Sequence, residues 1–300
     1  TLTTDGLTVA GNVSVDGGTI KLDGNYPTGT GNVALGDAAL DDGSLSGNFN
    51  TAIGDNALSA NTSGASNTAI GNDAGISNTT GFQNVFVGDT AGDANTTGAA
   101  VVAVGFNALT NNTTASNNTG LGYNALAANT TGTNNTAVGK GAADAQTTAS
   151  NTTAIGYQAL SENTGDNNTA VGKDALLSHT SGIYNTAVGS QALDANTTAS
   201  NNTAVGYAAL GANTTGSENT AVGMQSLDAN TTGASNSGLG VNTLTSNTEG
   251  DNNTAVGRDA LQNNTTADDN TAVGKSALAA NTTGHNEVAV GAGALTSNTT

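Results

Sequence analysis

Hydrophobic and polar residues recur along most of the chain with a period of seventeen residues. A glycine repeats sixteen times between Gly36 and Gly291, at steps of 17 residues except for one step of 18 and one of 16. With this glycine as the fifth position, the consensus is N-T-A-V-G-x-x-A-L-x-x-N-T-T-G-x-x. The fourth position is always Val, Ile or Leu, and the ninth is Leu in thirteen repeats. Such regularity excludes a disordered linker and predicts a repeat protein over residues 32–300.

A repeat of seventeen residues is too short for a pair of helices, which needs more than roughly 30 residues. Gly, Asn and Thr are also poor helix formers. In the repeat 202–218, the pattern predicts a short strand over Thr203–Val205, a turn at Gly206, a second extended segment around 209–210 and a turn at 213–216. We therefore expect an all-β parallel β-solenoid (β-roll or β-helix) of about sixteen coils. At the usual strand spacing of about 4.8 Å, the stack is about 77 Å long.

Stacking places the residues of one repeat position above one another, and we call each such set a column. We expect Val205, Leu210 and their equivalents to form two apolar columns in the core. Asn202 and Asn213 are expected to form ladders whose amides bond coil to coil. Small residues at the third, fifth and eighth positions leave room for another backbone. Two large side chains per coil bury too little surface to offset the entropy of ordering seventeen residues. We therefore predict a homo-oligomer, most simply a homotrimer, packed through its Ala/Gly faces.

Residues 1–31 lack the repeat and are assigned to a separate N-terminal β segment. Alternating residues predict three short strands there: 7–10, 13–15 and 19–22. Pro27 lies in a turn that joins this segment to the first coil. The second unit is the repeat shaft over 32–300, which we expect to continue beyond residue 300 because a solenoid requires caps at its ends.

Composition and charge narrow the range of partners. The chain has 5 Lys and Arg against 23 Asp and Glu, a net charge of −18, and only 9% of its residues are charged. Such a chain repels a phosphate backbone, so we expect no nucleic-acid partner. Without cysteine it has no disulfide framework and no thiolate zinc site. No stretch reaches the 18 or so apolar residues of a membrane span, so we expect no membrane insertion in this segment.

Candidate catalytic groups are few. His179 replaces Asn at the twelfth position of its coil, and His285 lies in a turn. We interpret the first as a hydrogen-bonding substitute and the second as a solvated loop residue. The Asp-Asp pairs at 41–42 and 268–269 are assigned to solvated turns rather than to a calcium site, because no further oxygen ligands recur at fixed spacing. We therefore expect no enzymatic activity, no cofactor and no metal site.

The sixth position, directly after the repeated glycine, concentrates bulky and cationic side chains, including four of the five cations. One interpretation is that these side chains cover the seam with a neighbouring subunit, with their rings buried and their polar tips wet. The other is that they form a surface stripe that contacts a cell-surface glycan or receptor. The candidate residues are Phe106, Tyr123, Lys140, Tyr157, Lys173, Tyr207, Arg258 and Lys275, with Met224 in the same column.

The Asn-Thr-Thr runs of the repeat are also N-glycosylation sequons. Ladder and turn chemistry explains them without sugar, so modification is the less favoured alternative. The candidate sites are Asn95, Asn129, Asn196, Asn213, Asn230 and Asn281. The thirteenth-position threonines suggest ice binding as a further alternative, but we place their column in the turn and not on a flat strand face.

Two protein families share these motifs. The segment 7–20, L-T-V-A-G-N-V-S-V-D-G-G-T-I, followed by N-Y-P at 25–27 and by the N-T-A-V-G coils, resembles phage tail-fibre and related virion appendage proteins. That resemblance implies a trimeric β shaft, often placed before a self-cleaving intramolecular chaperone. The motif N-T-A-V-G is also similar to the head repeat of trimeric autotransporter adhesins, a left-handed parallel β-roll whose repeat is usually shorter.

Pattern and resemblance together predict a homotrimeric structural fibre, extracellular or part of a virion, that serves as a spacer and as an adhesin toward a cell surface. The alternatives are the head of a bacterial surface adhesin and a self-assembling, glycosylated extracellular filament. An ice-binding solenoid ranks below both. A chaperone domain after residue 300 would indicate a phage fibre, and a coiled-coil stalk with a membrane barrel would indicate an adhesin.

Overall fold

The fold is an all-β parallel solenoid, as predicted. The computed structural model describes residues 29–300, so the strands and the Pro27 turn predicted for the N-terminal segment lie outside the described residues. Sixteen strands of three residues form one parallel sheet in chain order. The described residues contain no helix, and hence none long and apolar enough to cross a membrane. The strands are β1 Val33–Leu35, β2 Thr51–Ile53, β3 Thr68–Ile70, β4 Val85–Val87, β5 Val102–Val104, β6 Thr119–Leu121, β7 Thr136–Val138, β8 Thr153–Ile155, β9 Thr169–Val171, β10 Thr186–Val188, β11 Thr203–Val205, β12 Thr220–Val222, β13 Ser237–Leu239, β14 Thr254–Val256, β15 Thr271–Val273 and β16 Val288–Val290.

Neighbouring strands pair residue for residue at the same repeat position, as Ala187 does with Ala204. This register survives the two irregular steps of the sequence. Ile155 pairs with Val171 across the step of sixteen, and Leu35 pairs with Ile53 across the step of eighteen. The turns therefore absorb the missing and the extra residue while the sheet stays in register.

The core differs from the prediction at the fourth position. Ala204 is fully buried, whereas Val205 is 36% exposed. The reason is that successive strand residues point to opposite faces of a sheet, so the third-position residue faces inward and the second and fourth face outward. The predicted core column at Val205 is therefore wrong, and the one at the fully buried Leu210 is confirmed. Because Ala204 and Ala209 are enclosed by their own coils, they do not form the predicted Ala/Gly interface.

The second extended segment predicted around 209–210 is instead a series of turns. Leu210 has a left-handed φ of 53°. That conformation costs a non-glycine residue about 1–2 kcal/mol, but it aims the side chain into the core and lets the Leu210 amide donate to the carbonyl of Ser226 in the next coil (3.0 Å). A left-handed leucine is rare, which explains why the pattern alone predicted extended backbone.

The glycine turn and the asparagine ladders are confirmed. Gly206 has a φ of 139°, and a Cβ on it would lie 2.5 Å from the carbonyl oxygen of Gly223. The buried Asn202 accepts from the Asn219 amide (2.9 Å) and donates to the carbonyl of Gly216 (2.9 Å). In the second ladder, Nδ2 of Asn213 donates to the carbonyl of Gly216 and to the twelfth-position asparagine of the preceding coil. These bonds satisfy buried amides and hold successive coils together.

One phenylalanine replaces two leucines in the core. Phe86 is fully buried at the third position of its coil, and the ninth positions beside it are Gly75 and Gly92 instead of Leu. A Cβ on Gly75 would lie 2.5 Å from the ring, and one on Gly92 would lie closer still. The two glycines therefore make the space that the ring occupies.

We expect Phe86→Ala to lower the free energy of unfolding by about 3–5 kcal/mol, because it leaves a cavity that the two glycines cannot fill. Urea denaturation followed by circular dichroism measures this loss. Phe82→Ala, which truncates a ring that is 50% exposed, is the control and is expected to cost about 1 kcal/mol or less. Adding Gly75→Leu and Gly92→Leu to Phe86→Ala restores the consensus and is expected to recover stability. Equal losses for the two alanine variants would contradict this packing.

Candidate functional site

All eight candidate residues of the sixth position lie on the surface. Four of them, from four consecutive coils, are brought together in what we call the aromatic–lysine cluster: Phe106, Tyr123, Lys140 and Tyr157. The rings of Phe106 and Tyr123 stack with centroids 5.5 Å apart and planes 14° apart. Nζ of Lys140 lies 5.7 Å from the ring centroid of Tyr123 and 5.9 Å from that of Tyr157, within the range of cation–π attraction.

The other candidates do not join this cluster. Lys173 pairs with its neighbour Asp174 (2.7 Å), and Arg258 pairs with Asp259 (3.1 Å). The hydrogen bond and the charge of Asp174 raise the pKa of Lys173. Exposed pairs of this kind stabilise a protein little. The predicted stripe is thus divided: three of its four aromatic residues lie between Phe106 and Tyr157, and three of its four cations lie outside that segment.

A cleft of about 210 Å³ lies within the aromatic–lysine cluster, between Tyr123 and Tyr157. Buried Gly141 lies at its base, and Asn124, Asp144 and Gln158 contribute polar side chains to its lining. The pattern of the sixth position indicated the walls but missed these four residues. The signal was Gly141 itself, a glycine at a seventh position that carries a polar side chain in most other coils.

A second depression, of about 380 Å³, contains Asp194 and Asp228 at tenth positions on either side of Gly211. Burial raises the pKa of both carboxyl groups, and the charge of Asp228 adds to the effect on Asp194. Tyr207 of the predicted stripe lines the same depression. Because the tenth position of the coil between them is Gly211, the carboxylates of Asp194 and Asp228 lie two coils apart.

The two histidines lie as the sequence predicted. His179 is fully buried in the twelfth-position ladder, where Nε2 lies 2.8 Å from the carbonyl of Gly182 and Nδ1 lies 2.9 Å from Nδ2 of Asn196. We assign the proton to Nε2, because Nδ1 must accept from an amide. Burial lowers the pKa of His179, and the hydrogen bonds with Gly182 and Asn196 oppose this only in part. His285 is exposed, and its Nδ1 accepts from the Asp268 amide.

We expect acid to destabilise the coils around His179. Its folded-state pKa lies below the ordinary value of about 6.5, so the unfolded chain binds more protons and stability falls as pH drops below that value. His179→Asn restores the ladder consensus. The melting temperature is expected to fall by about 2 °C more in the wild type than in His179→Asn between about pH 7.5 and about pH 5.5. The exposed residue supplies the control, since His285→Asn is expected to behave as the wild type. Equal pH dependence in all three proteins would contradict the assignment.

The six sequon asparagines are fully buried. In each, Nδ2 makes two hydrogen bonds within the ladder, as Asn230 does with Oδ1 of Asn213 and with the carbonyl of Gly233. A glycan attaches through that nitrogen, so the folded coils leave it no accessible atom. The thirteenth-position threonines lie in bends, where the Thr214 hydroxyl donates to the Thr231 carbonyl (3.0 Å). Their hydroxyls therefore bond within the rod instead of presenting a free ladder to ice.

The acidic pairs lie in exposed or half-buried turns. The carboxylate of Asp42 accepts from the amide and the hydroxyl of Ser44, and these bonds lower its pKa. Within residues 29–300, no three His, Asp or Glu side chains are placed so that they could hold a metal ion.

The longest feature of the outer surface is the Thr–Val face, which we define as the second- and fourth-position side chains of the sixteen strands, such as Thr203 and Val205. Fourth-position residues stay substantially exposed at many coils, with Leu121 at 45% and Leu239 at 53%. None of the sixteen strands contains a charged residue. The alternation in T-A-V signals this outward apolar column, because only every second strand residue points inward.

Comparison with protein-family models, with curated proteins and with solved structures finds no match for this chain. Function must therefore be inferred from the surfaces of the described coils and from the resemblance of the repeat to fibre and adhesin repeats. Two surfaces stand out: the uncharged Thr–Val face, and the cleft in the aromatic–lysine cluster.

Proposed function

We propose that this chain is a non-enzymatic fibre shaft of an extracellular or virion appendage, which acts as a spacer and as an adhesin toward a cell surface. The observation that supports this most is the Thr–Val face, which runs without a charged residue along sixteen strands in register. A surface of this length that carries an exposed apolar column and no charge is unusual on a soluble monomer and indicates an interaction site.

The occupant that fits this face best is a second and a third copy of the same chain. Each chain carries a net charge of −18, so self-association requires a surface from which charge is excluded, as at the centre of protein interfaces. Around a threefold axis parallel to the rod, every chain directs its Thr–Val face inward and its acidic turns outward. The homotrimer proposed here therefore packs through the Thr–Val face.

We expect the intact chain to have three times its 28.8 kDa mass in light scattering. The triple variant Val188→Asp, Val205→Asp and Val222→Asp is expected to be monomeric, because burying three like charges per chain at the axis costs several kcal/mol. The matched control places three aspartates in the exposed turns of the same coils, as Thr198→Asp, Thr215→Asp and Thr232→Asp, and is expected to remain trimeric. Circular dichroism checks that both variants keep the fold. A monomeric wild type would refute the trimer.

The adhesive part of the proposal has its own measurement. We expect fluorescently labelled wild-type rods to bind at least one member of a panel of intact bacterial and animal cells. Flow cytometry detects the bound label, and an equally acidic, equally labelled globular protein corrects for non-specific adsorption. Binding no greater than that of the control protein on every cell type would reject the adhesive role and leave the spacer role.

A further inference from the structure

We infer that the cleft between Tyr123 and Tyr157 binds a neutral saccharide ring. The inference rests on the proposed adhesive function, which it makes specific by naming the chemical class of the ligand. It depends on three independent features of the cleft: an interrupted side-chain column, two hydrogen-bond acceptors without donors, and aromatic walls beside a lysine.

The cleft exists because Gly141 interrupts the seventh-position column. Elsewhere three pairs of side chains in this column bond from one coil to the next, as Nδ2 of Asn56 does with Oδ1 of Asp73 (2.9 Å). The Thr90 hydroxyl bonds in the same way to Oδ1 of Asn107. Gly141 has a φ of 64° but meets no crowding, since a Cβ there would lie 3.5 Å from its nearest neighbours. The position therefore has room for a side chain and lacks one.

Asn124, at the seventh position of the coil before Gly141, has an acceptor without a donor. Oδ1 of Asn124 is buried and accepts no hydrogen bond from any residue that the structure describes. In this column the side chain of the preceding coil is the donor, as Asn56 is to Asp73, and no donor from Asn107 reaches Oδ1 of Asn124. A buried acceptor without a donor is destabilising, and a group that donates to it removes that penalty.

Asp144 adds a second acceptor, an oxygen that is open to solvent. Its Oδ1 accepts from the hydroxyl of Ser161 (2.6 Å), whereas no residue within 29–300 donates to its Oδ2. That oxygen lies over Gly141, at 3.5 Å from the point where a Cβ would be. This open oxygen, with the buried Oδ1 of Asn124 at the same cleft, suits a ligand that has several hydroxyl donors.

The walls suit the apolar face of a sugar ring. Tyr123 and Tyr157 are 49% and 43% exposed, so their rings are open to a ligand. The face of an aromatic ring is electronegative and attracts the polarised C–H groups of a pyranose. Nζ of Lys140, which the two rings hold nearby, and the amide of Gln158 can donate to ring and hydroxyl oxygens.

Charge favours a neutral sugar over an acidic one. The chain carries −18 overall, and the open carboxylate oxygen of Asp144 lies inside the cleft. A ligand carboxylate would be repelled by the negative charge of the rod and by that oxygen. Among the residues that line the cleft, Lys140 alone would attract it. A ligand rich in hydroxyl groups and without charge satisfies every open group of the cleft.

Saturation-transfer NMR on the whole chain tests the inference with three probes: methyl β-D-galactopyranoside, methyl α-D-mannopyranoside and methyl β-D-glucopyranoside. We expect at least one of them to bind with a dissociation constant on the order of 1 mM, as befits a single small ring. The decisive variant is Gly141→Asn. Asparagine tolerates the left-handed φ, fills the cleft and can donate to Oδ1 of Asn124, so binding is expected to fall at least tenfold while the fold stays intact.

The control is Ala208→Asn, which introduces the same residue at a seventh position outside the cleft and is expected to leave binding unchanged. Binding of none of the three probes, equal binding by Gly141→Asn, or tighter binding of N-acetylneuraminic acid than of any neutral probe would overturn the inference. The outcomes separate it from the adhesive function. Rods that bind cells but no sugar refute the saccharide site alone, and rods that bind sugar but no cell refute the adhesive role alone.

Discussion

Each coil repeats the backbone path of the last at one strand spacing, and this constraint decides which residue fits at each repeat position. Where two backbones approach most closely, as they do between Gly206 and the carbonyl of Gly223, no side chain fits. Where a side-chain amide faces the coil boundary, as in Asn202, its bonds exist only because the next coil presents the matching group. Each residue contacts its equivalents in the preceding and in the following coil. The packing therefore requires the sequence to repeat.

This constraint also decides how much of the structure could be predicted. The strand at Thr203–Val205, the turn at Gly206 and the ladders follow from residue types whose geometry is nearly unique, and they were predicted correctly. The side of the strand that faces the core was predicted wrongly. In a strand of three residues the middle side chain points to one face of the sheet and the outer two to the other, and both arrangements would place an apolar residue in the core. The left-handed Leu210 was missed because its conformation is stabilised by burial in the stack and not by any local preference.

Departures from the consensus come in compensating groups. Phe86 accompanies two glycines that give its ring room. In the same way, the buried hydroxyls of Ser226 and Thr243 bond to each other (2.7 Å), and Gly238 at the third position between them leaves the space that a Cβ would fill. In both groups the change at one coil is answered at its neighbours, which keeps the core filled and its polar atoms paired.

The departure at Gly141 does not follow that rule. No neighbouring coil answers it: the space stays open, and Oδ1 of Asn124 stays unpaired. An asparagine or a glutamine, both common at that position, would close the gap without a steric clash at its Cβ. The tyrosines and Lys140 could be predicted because bulky side chains are conspicuous in a chain of small residues. Gly141 is a weaker signal, because it is one of 42 glycines. An unpaired acceptor beside aromatic rings destabilises the folded chain but can bind a ligand. This is the physical reason to place the ligand there.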